Sequence, residues 1–226
     1  MILSKSFKSM SVRYTPVFPG IVFIAFLVFC ISLITLCNRV EASAPGDTDF
    51  LEKAESYLNT LRKVQAPFIM TTPEGGSVTG TFYLKKPGKL RFEYDDPIKD
   101  FIVADGTFIY FYDAELGSQS HAFIGQTLAD FVVRDNIDLS EDVKIVDVIN
   151  ESNKSYIILT QEEDPAAGAL TLEFSKEPFR LKSWEVLDSA GNITKVRLGR
   201  IRTDVTLEND LFYYSDPQPD QFQYNE

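Results

Sequence analysis

The sequence offers few side chains that could take part in catalysis. Its single histidine is His121, and its two cysteines, Cys30 and Cys37, both lie in an apolar N-terminal segment. A serine hydrolase would need the histidine beside a serine on a sharp turn, and no G-x-S-x-G motif is present. We therefore interpret His121 as an exposed or core residue and predict that the protein is not an enzyme.

Three groups of acidic residues could be considered as metal ligands. They are Asp95-Asp96, Glu141-Asp142 and Glu162-Glu163-Asp164. Calcium loops space their oxygen ligands and place a glycine at the bend, which none of the three does. We interpret them as solvated turns and predict no metal and no cofactor. A glycosidase pair stays open at this point, because its two carboxylates need not be close in sequence.

The N-terminal segment has the order of a secretory signal. A basic start precedes an apolar run of 17 residues, from residue 21 to residue 37, and small residues follow it. This order predicts that residues 1–44 are a cleaved signal peptide, with cleavage after Ala42 or Ala44. An uncleaved anchor is the alternative, since the run is at the short limit for a membrane span. Neither cysteine follows the small residue that lipid attachment requires.

Removal of this segment changes the charge of the chain. Residues 45–226 carry 18 basic and 32 acidic residues, a net charge of −14. Such a chain has no row of cations to neutralise phosphates, so nucleic acid is excluded as a natural partner. Anionic membrane surfaces should repel it as well.

The central stretch, Gly80 to Asp113, is rich in β-branched and aromatic residues. Turn residues at 86–88, 95–97 and 105–106 divide it into four predicted strands: Thr81–Lys85, Lys89–Tyr94, Phe101–Ala104 and Thr107–Tyr112. We expect one apolar face made of Phe82, Leu84, Leu90, Phe92, Tyr94, Phe101, Val103, Phe108, Tyr110 and Tyr112. The opposite face would hold Ile102, Ile109 and Phe111. A sheet this apolar needs a helix, a second sheet or an apolar ligand over it.

Two helices and further strands surround this stretch. Apolar residues at helical spacing predict an amphipathic helix from Phe50 through Gln65, ended by Pro67. A short helix within residues 125–133 would be either a lid or part of the core. The other predicted strands are Phe68–Thr72, Ser118–Ile124, Val143–Ile149, Tyr156–Thr160, Ala169–Phe174, Arg180–Leu187 and Asn192–Ile201.

The sum predicts a mainly β protein with some α structure (α+β). We expect about ten antiparallel strands in an incomplete β-barrel or strongly curved sheet, with an N-terminal helix and short lid helices over an apolar cavity. Residues 45–215 would form a single domain, and residues 216–226 a disordered tail. The 13 Phe and 9 Tyr outside the signal are either core or the lining of a cavity for an acyl chain.

Residues 80–94, GTFYLKKPGKLRFEY, resemble the periplasmic outer-membrane lipoprotein carrier proteins of the LolA family. The pattern of that family is roughly G-x-[LF]-x-[LV]-x-[RK]-P-G-x-[FL]-R-[WF]-x-Y. The match continues through Pro97, the run from Phe101 to Gly106 and the strand with Tyr110-Phe111-Tyr112. It extends over about residues 47–217 and is most specific in residues 80–112.

The resemblance implies a periplasmic chaperone of a Gram-negative bacterium, acting as a monomer. Such a carrier takes lipoproteins from an inner-membrane ABC transporter, shields their acyl chains and delivers them to the outer membrane, in many cases through a receptor. An alternative is a related lipid-binding or envelope-stress-sensing domain of the same fold. A receptor of this fold would itself be lipidated, which the cysteines argue against.

The resemblance also suggests site residues. The family carries an arginine before the motif proline, which holds the lid by hydrogen bonds, and this chain has Lys86 there. Lysine keeps the charge but lacks the planar fork of donors, so we expect a lid that closes less firmly. The expected cavity and lid residues are Phe82, Leu84, Leu90, Phe92, Phe101, Phe108, Tyr110, Leu128, Phe131 and Trp184.

Overall fold

The computed structural model describes residues 45–127, 129–141, 143–161 and 165–217. The predicted signal peptide with its cleavage sites, Leu128 and the last nine residues of the tail lie outside these ranges. None of the helices in the described ranges has both the length and the hydropathy of a membrane span.

The described chain consists of an N-terminal helix and eleven strands, with a short helix between the sixth and seventh strands. Helix α1 is Pro45–Thr60 and helix α2 is Ala129–Val133. Short 3₁₀ turns cover Ile124–Gln126, Pro165–Ala167 and Asn209–Phe212. The strands are β1 Lys63–Thr71, β2 Ser77–Lys85, β3 Lys89–Tyr94, β4 Phe101–Asp105, β5 Phe108–Asp113, β6 Ser118–Phe123, β7 Lys144–Asn150, β8 Lys154–Thr160, β9 Gly168–Lys176, β10 Phe179–Asp188 and β11 Ile193–Leu198.

All eleven strands belong to one antiparallel sheet. Their order is β6-β5-β4-β3-β2-β1-β11-β10-β9-β8-β7, so β1 and β11 pair in the middle while β6 and β7 form the two edges. The sheet is not closed, which confirms the predicted mainly β fold with an open antiparallel sheet. Each step apart from β1 to β11 joins strands that are neighbours in sequence, as hairpins do.

Helix α1 lies on one face of this sheet, here called the inner face. Its apolar stripe is buried, with Ala54 fully inaccessible. The ring of Phe50 contacts that of Phe174 from β9 edge-on, at 5.8 Å between centroids. Phe68 of β1 packs against Phe92 of β3 in the same manner, at 5.3 Å. The inner face therefore carries the main core.

The prediction that the first helix continues to Gln65 is wrong. The helix ends at Thr60, and β1 begins at Lys63 rather than at Phe68. Val64 and Leu61 fit a helical stripe, but Val64 also begins an alternation with Ala66 that continues along β1. Long-range pairing of β1 with both β2 and β11 determines the outcome.

A second buried cluster occupies the opposite, outer face of the sheet. It contains Phe101 and Val103 of β4 and Tyr112 of β5. Tyr110 and Tyr214 pack against it, and their rings stack at 4.8 Å with an interplanar angle of 13°. The C-terminal segment therefore covers this part of the outer face.

Candidate functional site: an apolar cavity under a lid

A cavity of about 470 Å³ lies on the inner face, between the sheet and the short helix α2. This volume is within the range of pockets that hold small-molecule ligands. Its lining draws on both halves of the sheet and on the start of the lid. The lining residues are Met70, Phe82, Leu90, Phe92, Ile102, Ile109, Phe111, Gln126, Thr127, Ala129, Val132, Gln161, Leu170, Trp184, Val186, Asp188, Thr194 and Val196.

Strand pairing explains why these side chains share one face. Phe82 of β2 pairs with Phe92 of β3, which in turn pairs with Ile102 of β4. Ile102 then pairs with Phe111 of β5. Because directly paired residues point to the same side of a sheet, the four side chains form one continuous apolar row across four strands.

Trp184 of β10 joins the two halves of the site. Its indole contacts the ring of Phe82 at 5.4 Å and that of Phe92 at 6.1 Å. It also lines a second, smaller cavity of about 30 Å³ beneath α1, together with Leu84 and Phe131. Trp184 is the single tryptophan of the chain, so its fluorescence reports on this site alone.

The lid is formed by residues 129–139, here called the lid segment. It begins with α2 and continues through a bend at residues 134–136 to a turn at residues 139–140. Phe131, Val133, Ile137 and Leu139 are all buried. The lid segment therefore presents an apolar underside to the inner face of the sheet, with α1 beside it.

Polar side chains of α1 hold the lid segment in place. The amide of Asn59 donates from Nδ2 to the carbonyl oxygen of Ile137 at 2.9 Å and accepts the Ile137 N–H at 2.8 Å. The carboxylate of Glu55 accepts the N–H of Leu139 at 2.9 Å. These bonds satisfy backbone groups that an open lid would expose to water.

Arg62 makes a further attachment just beyond the end of α1. Its Nη1 donates to the carbonyl oxygen of Asp135 at 2.7 Å, and its Nη2 forms an ion pair with the carboxylate of Asp135. The ion pair is about half exposed, so we attribute to it a modest contribution of at most about 1 kcal/mol.

The turn between β2 and β3 connects the sheet to both covering elements. Lys86 Nζ donates to the carbonyl oxygen of Leu58 in α1 at 3.2 Å. The N–H of Gly88 donates to the carbonyl oxygen of Val133, the last residue of α2, at 2.7 Å. Gly88 has φ = +80°, and a Cβ there would lie 2.8 Å from the Cα of Gly106, so only glycine suits this position.

The environment of Lys86 is unusual for a lysine. The residue is 8% exposed. Burial lowers its pKa to about 8, and the neighbouring charge of Arg62 acts in the same direction. The carboxylate of Asp135 opposes this shift but does not cancel it. Lys86 thus titrates just above neutral pH.

Seven of the residues expected at the site line one or both of the two cavities. They are Phe82, Leu84, Lys86, Leu90, Phe92, Phe131 and Trp184. Leu128 lies outside the described residues. In the described ranges, no three His, Cys, Asp or Glu side chains are grouped as metal ligands would be.

The placement of Phe101, Phe108 and Tyr110 in the cavity is wrong. All three lie on the outer face, because the β3–β4 register pairs Phe92 with Ile102. Ile102, expected on the opposite face, lines the cavity instead, as do Ile109 and Phe111. A shift of one residue in register exchanges every side chain between the two faces of a strand.

The polar attachments of the lid were not predicted from the sequence. Glu55, Asn59 and Arg62 follow one another at intervals of four and three residues, which places them along one side of a helix. This spacing is visible in the sequence, although α1 itself ends at Thr60, before Arg62. Nothing in it indicated that residues 135–139, some 75 positions later, would be the partners.

Comparisons with known proteins identify the family of the chain. The model of the family "Outer membrane lipoprotein carrier protein LolA" matches residues 59–215. An outer-membrane lipoprotein carrier protein from Methylococcus capsulatus is 27% identical over 183 residues, 77% of this chain and 88% of that protein. One from Nitrosospira multiformis is 25% identical over 199 residues, 84% of this chain and 93% of that protein.

Among solved structures, a LolA superfamily protein from Nitrosomonas europaea is 12% identical in sequence. The similarity covers 74% of this chain and 97% of that one, with a TM-score of 0.44. The family match covers more than half of the chain, including the whole sheet and the lid segment. The chain belongs to the LolA family of outer membrane lipoprotein carrier proteins.

Proposed function

We propose that the protein is a periplasmic chaperone that binds the acyl chains of lipoproteins leaving the inner membrane and carries them to the outer membrane. The observation that carries this proposal is the apolar cavity of about 470 Å³ beneath the lid segment. Family membership supports the same reading, since the named relatives are lipoprotein carriers.

The lining of the cavity suits a hydrocarbon chain. Phe82, Leu90 and Phe92 are buried, and they form the floor together with Trp184. Each CH₂ group moved from water to such a surface is stabilised by about 0.8 kcal/mol. An acyl chain of ordinary length would then bind so tightly that its release requires a competing process.

Closure of the lid is the competing process that we propose. Phe131 and Ile137 of the lid segment bury apolar surface against the same inner face that would receive the cargo. A cargo that displaces Phe131 and Ile137 exposes their apolar surface to water. The free energy lost in this way lowers the net affinity for the cargo. The polar bonds from α1 let the lid segment close in one defined position.

The proposal includes the cellular route of the protein. The signal peptide would be removed after Ala42 or Ala44, and the mature chain would act as a monomer in the periplasm. Its partners would be acylated lipoproteins, an inner-membrane ABC transporter that releases them, and in some cases an outer-membrane receptor. Mass spectrometry of the mature N-terminus tests the cleavage site directly.

Cell fractionation followed by mass spectrometry of co-purifying molecules tests the function. We expect the protein in the periplasmic fraction, with acylated peptides bound to it. Recovery with phospholipids alone would favour a lipid-binding role of another kind. Recovery of a glycan-degrading activity would contradict the proposal.

A further inference from the structure

Two kinds of side chain line the large cavity. The apolar side chains, such as Leu170 and Val196, are mostly buried. The polar ones are half-buried or exposed, and we call this set the mouth: Gln126, Thr127, Gln161, Asp188 and Thr194. Because these polar side chains are accessible to water, we take them, together with the 42% exposed Phe111, to lie where the cavity opens.

Several side chains of the mouth have hydrogen-bonding capacity to spare. Within the described ranges, the side chains of Gln126, Gln161 and Thr194 form no hydrogen bond with the protein. The hydroxyl of Thr127 donates to the carbonyl oxygen of Ile124 at 2.8 Å and keeps its lone pairs free. Amides and hydroxyls of this kind suit the carbonyl and hydroxyl groups of an uncharged ligand head.

The charge at the mouth is negative. Among the described residues that line the large cavity there is one charged side chain, that of Asp188. Its Oδ1 accepts the N–H groups of Ala190 and Asn192 at 2.9 and 2.8 Å. Hydrogen bonds from the side chain and backbone of Asn192 hold the pKa of this carboxyl below its usual range, so it is ionised at neutral pH.

We propose that the mouth selects acyl chains whose head is a neutral ester or amide and disfavours chains whose head is an anion. The inference rests on the proposed function, because it names which acylated ligands the same cavity accepts. An anionic head would meet the carboxylate of Asp188 without a compensating cation. A neutral head would meet unoccupied amide and hydroxyl groups.

Two ligands that differ by a single phosphate group provide the test. Monopalmitoylglycerol and its 3-phosphate carry the same chain through the same ester, and binding of each is followed by the fluorescence of Trp184. At low salt we expect the neutral ligand to bind about fivefold more tightly, because the carboxylate of Asp188 repels the phosphate group. Added salt should reduce the ratio.

Variants assign the effect to the mouth. Asp188→Asn keeps an acceptor for the turn and should bring the two affinities within about twofold. The matched control is Asp105→Asn, since Asp105 also accepts two backbone N–H groups in a hairpin turn but does not line the cavity. Thr194→Val should weaken binding of the neutral ligand about threefold, the loss of one hydrogen bond.

The outcomes are separable from those of the proposed function. Equal or tighter binding of the phosphate by the unaltered protein would overturn this inference and leave the acyl cavity in place. So would an unchanged preference in Asp188→Asn. If neither ligand altered the fluorescence of Trp184, the proposed function itself would fail.

Discussion

Lys86 Nζ donates its hydrogen bond to the carbonyl oxygen of Leu58, in the last turn of the N-terminal helix, at 3.2 Å. The family resemblance led us to expect a contact with the lid helices from this position. The lid contact comes instead from Gly88, two residues later, whose N–H bonds to Val133. The turn from Lys86 to Gly88 therefore connects the sheet both to α1 and to the lid segment.

The buried position of Lys86 makes stability depend on pH in a specific direction. Its pKa is about 8 in the folded protein, below the ordinary 10.5, so the unfolded chain binds more protons between these values. The free energy of unfolding should therefore rise as pH increases from 8 to 10.5, by up to about 3 kcal/mol from this group. Urea unfolding across this range measures it.

The comparison with Lys86→Met isolates this contribution, because other lysines and tyrosines titrate in the same range. As pH rises, the free energy of unfolding of the unaltered protein should increase relative to that of the Lys86→Met variant. A difference that stays constant from pH 7 to pH 10.5 would show that Lys86 has an ordinary pKa.

Lys86→Arg should change the delivery of cargo. A guanidinium offers several donors in a planar fork, so it can reach the lid segment as well as Leu58. We expect a lid that closes more firmly and a faster transfer of a bound lipopeptide to acceptor vesicles. Equal transfer rates for the two proteins would contradict this expectation.

Asn59→Ala should loosen the lid segment. The change removes both hydrogen bonds to Ile137 and leaves two backbone groups without partners, at a cost of about 1–3 kcal/mol. Hydrogen exchange at the amide of Ile137 should accelerate correspondingly. Ser56→Ala, an exposed change on the same helix, serves as the control and should leave this exchange unaltered.

Phe68→Ala should destabilise the whole domain. Phe68 is 2% exposed, and its ring contacts those of Phe92 and Tyr94. Truncation of a buried phenylalanine to alanine lowers the free energy of unfolding by about 3–5 kcal/mol. Phe123→Ala, at a side chain that is 53% exposed, should cost less than about 1 kcal/mol in the same urea titration. Similar costs at both positions would contradict the assignment of the inner face as the core.

Local signals in the sequence predicted where most of the strands lie along the chain. The strand Lys89–Tyr94 has the predicted bounds, because Pro-Gly and Asp-Pro turns flank it. The helix end was misplaced, since residues 61–65 fit both a helix and a strand. The apolar face of β4 was assigned wrongly, because the six-residue connection after Tyr94 sets a register that no local pattern reveals.

An apolar cavity was expected from the sequence, but only some of its lining residues were. Phe82, Leu84, Leu90 and Phe92 were placed correctly, since the tight turn at residues 86–88 fixes the β2–β3 register. The attachments of the lid to Asn59 and Arg62 could not be anticipated, as they join residues more than 70 positions apart. Such pairs follow from tertiary packing rather than from local spacing.

The most direct test of the proposed function uses Trp184 as a reporter of an acyl chain inside the cavity. A synthetic lipopeptide with bromine atoms on its acyl chains is titrated into the protein produced as residues 45–226, because bromine quenches tryptophan emission on contact. We expect saturable quenching that is lost in Phe92→Glu and retained in Phe123→Glu, with circular dichroism confirming that both variants fold. Absence of quenching in the unaltered protein, or equal quenching in a folded Phe92→Glu variant, would contradict a carrier that shields acyl chains in this cavity.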